Sequence, residues 1–215
     1  MSEKLAVVMG DLVSSESSKD VSATHRRFNL AVDQANAAYP RLVSPLTITL
    51  GDEFQGLASQ LSSAINVVRY MRFDLLDAGI DCRFVVGQVR IETPVNRDKA
   101  WNMMGPGLSR AREMLGRKRD TSLYLFSLPN HHLLEHNLNA IGAGLTTIER
   151  RWTDRQREDV LASLGGATAE EIARKRNVAV HSVYKVRAAG QFDAYSVQWA
   201  AIDNTLATLD MELRG

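Results

Sequence analysis

The stretch TITLGDEFQGLAS, residues 47–59, decides how the rest of the chain is read. Three β-favouring residues climb to Leu50, the chain turns through Gly51-Asp52-Glu53, and an apolar segment follows from Phe54. "LTITL" and "FQGLA" predict two antiparallel strands joined by a tight turn, with Gly51 supplying a positive φ. Two carboxylates at the tip of an apolar hairpin fit a solvated turn, since Asp and Gly are the usual turn residues, or a metal ion.

Outward from the hairpin, "KLAVVMGDLV" predicts a buried strand ended by Gly10-Asp11. Residues 14–23 read as a polar loop. Residues 24–38 carry Phe28, Leu30, Val32 and Ala35 at helical spacing, stopped by Tyr39-Pro40. Residues 60–78 predict a helix with Leu61, Ile65, Val68, Met71 and Leu75 on one stripe and Gly79 as its cap. "CRFVVGQVRI" (82–91) is a strand and 92–104 a loop. A helix begins at about Pro106, "TSLYLFS" is a strand, and residues 130–140 are helical. The order β-α-β-β-α-β-α-β predicts an α+β, ferredoxin-like or palm layer, with helices on one face of an antiparallel sheet.

After Arg151 only helices are predicted. Thr153/Gln156 and Thr168/Glu171 have capping-box spacing. This places a domain boundary near residue 150: a palm-like domain, 1–150, then an all-α helix-turn-helix domain, 151–215. Residues 168–188 supply the helix-turn-helix pattern. Asn177 takes the turn position, and Val178, Val183 and Val186 are expected to fill the core. A recognition helix from about Val180 would present His181, Ser182, Tyr184, Lys185 and Arg187, with Arg174 and Lys175 nearby. The run from Ile172 to Phe192 has no acidic residue, which suits phosphate contacts to DNA. The last helix, about 191–212, carries Phe192, Tyr195, Trp199, Ile202, Leu206 and Leu209, a stripe that reads as core or as a homodimer seam.

The composition of the 215 residues is 45% hydrophobic and 24% charged, ordinary for a globular protein, and the net charge of +1 excludes a globally basic surface. A lone Cys82 excludes an internal disulfide and fits a reducing compartment. No signal-peptide pattern or run of about 20 apolar residues is found, so a cytoplasmic location is expected and no membrane. His131, His132 and His136 read as a helix start rather than a zinc site. The basic run 110–120 (Arg110, Arg112, Arg117, Lys118, Arg119) reads as a solvated helix end.

In the β-α-β-β frame the first strand lies beside the hairpin, so Asp11 and Asp52 are expected to converge at one sheet edge. Two carboxylates suit Mg²⁺, which takes one or two of them together with substrate phosphates. "GDLVSS" followed by "LGDEF" resembles the nucleotide-cyclase and GGDEF group. That resemblance implies metal ligation by Asp11, Asp52 and the Leu12 carbonyl, with Glu53 at an acidic position of the signature. It also implies nucleotide contacts from Gly51 and from "GPGLSRARE", through Gly105, Ser109 and Arg112. The sequence departs from the cyclase pattern at Ile48, where a base-reading Lys is usual, and near Ser109, where a catalytic Asn is usual. Across nearly its whole length the chain is similar to the SatD family of bacterial proteins, with "GDEFQG" as the most specific piece. Two functions follow. One is a DNA-binding, transcription-regulatory protein with a nucleotide- or metal-binding palm domain. The other is a Mg²⁺-dependent nucleotidyl cyclase or transferase acting on a nucleoside triphosphate.

Overall fold

The computed structural model describes residues 3–13, 20–117 and 121–213. The strands are β1 (Glu3–Leu12), β2 (Ser44–Leu50), β3 (Glu53–Ala58), β4 (Cys82–Ile91) and β5 (Tyr124–Ser127). The helices are α1 (Val21–Ala38), α2 (Leu61–Asp77), α3 (Leu108–Leu115), α4 (His132–Glu149), α5 (Asp154–Leu164), α6 (Ala169–Arg176), α7 (Val180–Ala189) and α8 (Phe192–Glu212). The expected β-α-β-β-α-β-α-β order is present, and the sheet order β2-β3-β1-β4-β5 sets β1 in the centre beside the hairpin. Residues 14–19 of the expected polar loop, and Lys118 and Arg119 of the basic run, lie outside the described residues. Helix α1 starts at Val21, earlier than expected, because Asp20 accepts a hydrogen bond from the Ala23 N–H at 2.8 Å.

Pleat alternation explains the hairpin motif. Phe54 lies opposite Gly10 on β1, and Gly10 lies opposite Phe84 on β4. A Cβ on Gly10 would sit 2.2 Å from the Phe54 ring, so only glycine lets the ring lie across the central strand. On this face Ala6, Val8 and Leu12 pack against α1, α2, α4 and α8 in one apolar cluster. On the opposite face Leu5, Val7 and Met9 pack under α3 with Leu108, Ala111, Met114 and Leu115.

Several expectations are corrected by this packing. Helices cover both sheet faces, because α3 returns over the second one. Strand β5 runs parallel to β4. Gly51 does not adopt a positive φ, so it is not there for left-handed geometry. Helix α4 runs past the expected 130–140 to Glu149. Both capping boxes form, and Asn177 is left-handed at φ 53°. Of the three valines expected between α6 and α7, only Val183 is buried; Val178 is exposed.

A separate all-α domain is not shown. Tyr195, Trp199, Ile202, Leu206 and Leu209 of α8 belong to the same apolar cluster as the sheet, so the stripe is core and not a dimer seam. The buried Asp210 carboxylate accepts hydrogen bonds from the Leu61 and Ser62 N–H groups, each at 2.8 Å, capping α2 from the far end of the chain. Such a cap contributes about 1 kcal/mol. Behind the sheet, buried Glu149 of α4 accepts from Arg72 of α2 at 2.7 and 3.0 Å, from the Tyr195 hydroxyl at 2.6 Å and from the Tyr124 hydroxyl. This network ties α2, α4, β5 and α8 together.

Cys82 is buried, and burial pushes its thiol well above the ordinary range. Thiolate is the reactive form. We expect Cys82 to resist a disulfide-exchange reagent in the native protein and to react at the rate of unfolding, as checked by following thionitrobenzoate release with and without urea.

Candidate functional site

The hairpin strand β3 alternates cleanly. Phe54 and Gly56 face the cluster of α1 and α2, which leaves Glu53 and Gln55 on the face of α3. Asp11 shares that face, since it follows Met9 and Val7 at a spacing of two. Strand register sets Glu53 opposite Asp11, and Asp11 opposite Arg83. One row across three strands therefore reads Glu53-Asp11-Arg83.

This phase adds Glu53 to the corner where Asp11 and Asp52 were expected to meet. Asp11 is the strand partner of Glu53, and Asp52 sits in the turn beside them, its carbonyl accepting the Leu12 N–H at 3.1 Å. The Leu12 side chain is buried in the core. Asp11, Asp52 and Glu53 are each half-buried, and Gly51 is exposed. Like charges side by side on a sheet are unfavourable, and a cation on the next strand offsets them. Arg83 is that cation. It is buried and held by the Ser122 carbonyl at 3.3 Å and the Leu115 carbonyl at 3.1 Å.

Beside this row lies a cavity of about 750 Å³. Its floor is the hairpin, through Thr49, Leu50, Glu53 and Gln55. One wall is α3, through Leu108, Ser109, Arg112 and Glu113, and the other is the segment Ala100–Gly105. The volume lies within the range of small-molecule sites. Gln55 organises it: its amide nitrogen donates to the Ala100 carbonyl at 3.2 Å, and its oxygen accepts from Arg112 Nη2 at 3.0 Å. The Ala100 N–H donates to Thr47 Oγ1 at 2.9 Å, fixing the wall to β2 as well. Ser109 and Arg112 are exposed to solvent in the cavity. The hydrogen bond and charge of Arg117 hold the Glu113 carboxyl below the usual carboxylate range.

The structure thus brings Glu53, Gly105, Ser109 and Arg112 to one cavity, with Asp11 opposite Glu53 in the floor strands, while Asp52, Leu12 and Gly51 do not line it. Gly105 is explained by close packing: a Cβ there would meet the Arg90 carbonyl oxygen at 1.9 Å. Sequence reading missed Gln55, Arg83, Thr49 and Trp101. Alternation from Phe54 would have found Gln55; nothing local marks Trp101. Ile48 faces the core cluster, on the side away from the cavity. Among the described residues no group of three or more His, Cys, Asp or Glu could hold a metal, and the three histidines 131, 132 and 136 form no such site.

In the helical region, Arg174, Lys175, His181, Tyr184 and Lys185 are exposed and Ser182 is half-buried. The Arg187 guanidinium lies 3.9 Å from the Phe192 ring centroid and 5.9 Å from that of Tyr184, packed on the protein's own aromatics. Arg176 pairs with buried Asp159. Among the described residues no helix is long and apolar enough to cross a membrane.

Comparison with solved structures returned nucleotide cyclases. A bacterial light-regulated adenylyl cyclase is 11% identical, with a TM-score of 0.46, over 59% of this chain and 76% of that one. The adenylyl cyclase CyaB from P. aeruginosa is 11% identical, with a TM-score of 0.46, over 63% and 82%. The guanylate cyclase domain of RhGC from Catenaria anguillulae, in complex with GTP, is 16% identical, with a TM-score of 0.40, over 54% and 75%. No curated protein matches. The expected DNA-binding, transcription-regulatory function is corrected: Arg187, one of the residues expected at the DNA face, is packed on Phe192, and the last helix, expected in a separate helix-turn-helix domain, belongs to the core of the sheet. The SatD family model matches residues 5–188, most of the chain, including the Gly10-Asp11 strand end, the hairpin and α3, and the chain belongs to the SatD family.

Proposed function

We propose that the cavity between the hairpin and α3 binds a nucleoside triphosphate with Mg²⁺ and serves nucleotidyl transfer, cyclisation included. The observation that carries this reading is the register that sets Asp11 beside Glu53, next to a cavity whose other wall presents Arg112 and Ser109. Two adjacent carboxylates fit Mg²⁺, which takes few protein ligands and completes its shell with phosphate oxygens and water. Asp11 and Glu53 would hold it, with Asp52 at the turn within the same corner. When bound, Mg²⁺ neutralises phosphate charge and lowers the pKa of an attacking hydroxyl.

The chain's own residues do the rest. Arg112, steadied through one nitrogen by Gln55, offers its remaining N–H groups to phosphate oxygens. The Ser109 hydroxyl, one turn earlier on α3, donates to the same group. In the transfer itself a hydroxyl oxygen attacks the α-phosphorus and gives up its proton to solvent, the bond to the bridging oxygen of the β-phosphate breaks, and pyrophosphate leaves. Residues 1–150 form the nucleotide-binding body in this reading, and the helices beyond them brace it through α8.

The test is turnover. Wild-type protein incubated with Mg²⁺ and ATP or GTP is expected to release pyrophosphate, and Asp11→Asn is expected to lose at least about 100-fold of that rate, the size seen when charge stabilisation is removed from a transfer site. Circular dichroism checks that the variant is folded. Equal rates in the two proteins would reject the site.

A further inference from the structure

The cavity has two unlike sides. Glu53, Ser109 and Arg112 are charged or polar, whereas Trp101, Met103 and Met104 make the wall of the loop apolar. Trp101 is 57% exposed and Met104 72% exposed, although both line a concave site. Together they leave apolar surface exposed on one wall of a concave site, which marks a place for a ligand. The main chain on either side of it is fixed. The Trp101 N–H donates to the Lys99 carbonyl at 2.7 Å, Ala100 is bonded to both Thr47 and Gln55, and Asn102 is left-handed at φ 56°. Upstream, the Asn96 side chain accepts from the Asp98 and Lys99 N–H groups at 3.1 and 3.0 Å. The indole is thus carried on a braced turn rather than on a loose one.

We infer that Trp101 is the platform on which the base of the bound nucleotide stacks. This rests on the function proposed above and adds the part of the ligand that function leaves open. A ligand with a charged end and a flat ring matches a site with a guanidinium on one wall and an indole on the other. Every nucleobase has a π-face, so stacking gives affinity with weak base selectivity, and larger rings gain more. Purine nucleotides are therefore the favoured ligands, with ATP and GTP close to one another. Ile48 does not read a base edge, because its side chain packs against the core on the far side of the sheet.

The experiment compares Mg²⁺-ATP, Mg²⁺-GTP and Mg²⁺-tripolyphosphate by calorimetry on wild-type protein, Trp101→Phe and Trp101→Ala. Wild type is expected to bind both nucleotides about tenfold or more tighter than tripolyphosphate, the range that stacking on one aromatic supplies. Trp101→Phe should keep most of that ratio. Trp101→Ala should abolish it while leaving tripolyphosphate affinity unchanged. An unchanged ratio in Trp101→Ala overturns the inference and leaves the triphosphate site standing. A changed sedimentation coefficient in Trp101→Ala with the ratio unchanged also overturns it, and assigns the indole to a contact with a second copy of the chain. No binding of any of the three compounds to wild type overturns this inference and the proposed function together.

Discussion

Replacing Arg72 by leucine is expected to lower folding stability by about 3–5 kcal/mol, the cost of leaving one partner of a buried ion pair uncompensated. The Glu149 carboxylate has no exposed side-chain surface and would lose both guanidinium bonds. The Ile80 carbonyl, bonded to Arg72 at 3.1 Å, would lose its donor as well. Removing both ends of the pair, with Arg72→Leu and Glu149→Leu together, should cost less than the sum of the two single changes, because no lone buried charge remains. The double variant would still strand the Tyr124 and Tyr195 hydroxyls, whose protons Glu149 accepts. Burial pushes both phenols well above their ordinary value, so they remain donors throughout the neutral range. Their raised folded-state pKa stabilises the protein fully below about pH 10, and that contribution is lost as pH rises beyond it. Urea titrations of the four proteins give the coupling. A loss under 1 kcal/mol for Arg72→Leu would mean that the network does not hold the helices to the sheet.

The second large effect is expected from Gly105→Ala. The added methyl would lie 1.9 Å from the Arg90 carbonyl oxygen and 3.0 Å from the Ile91 Cα, both backbone atoms that cannot rotate away. The segment that walls the cavity must then lift from β4, breaking the bonds from the Arg90 N–H to the Pro106 carbonyl and from the Glu92 N–H to the Met104 carbonyl, each 2.9 Å. Overpacking of this kind costs about 1–3 kcal/mol. Nucleotide affinity should fall with it, because Trp101 and the N-terminus of α3 move together. Thermal melting and nucleotide titration of the same preparation check both parts; a variant with wild-type melting would show that the turn tolerates a side chain.

Much of this architecture is legible in the sequence. The order of the first eight elements follows from period-2 and period-3.6 apolar spacing and from Gly-Asp strand ends, and the starts of α5 and α6 follow from the two capping boxes. What is not legible depends on long-range packing. The side of the sheet taken by α3 is decided by Leu108, Ala111 and Met114 docking on Leu5, Val7 and Met9, a contact between segments about 100 residues apart. The α8 stripe looks the same as core or as an interface until its partners are known; Asp210 and Tyr195 reach α2 and Glu149, which no local pattern announces.

The candidate site shows the same division. Asp11 and the hairpin are conspicuous, and Ser109 and Arg112 stand out on a short helix. That Glu53 is the strand partner of Asp11, with Asp52 in the turn beyond, is a matter of pleat phase, fixed by Phe54 lying over Gly10. The basic character of residues 172–192 is equally visible, yet it says little about free charge. Arg176 turns inward to Asp159 and Arg187 packs on Phe192.

The measurement that bears most directly on the proposed function is calorimetric titration of ATP and GTP, with and without Mg²⁺, into wild-type protein, Asp11→Asn and Arg112→Gln. Binding to wild type that requires Mg²⁺, loses its metal dependence in Asp11→Asn and weakens about ten- to a hundredfold in Arg112→Gln, the worth of a hydrogen bond to a charged group, is the expected result. No binding under any condition, or binding equal in all three proteins, would contradict a nucleotide site between the hairpin and α3.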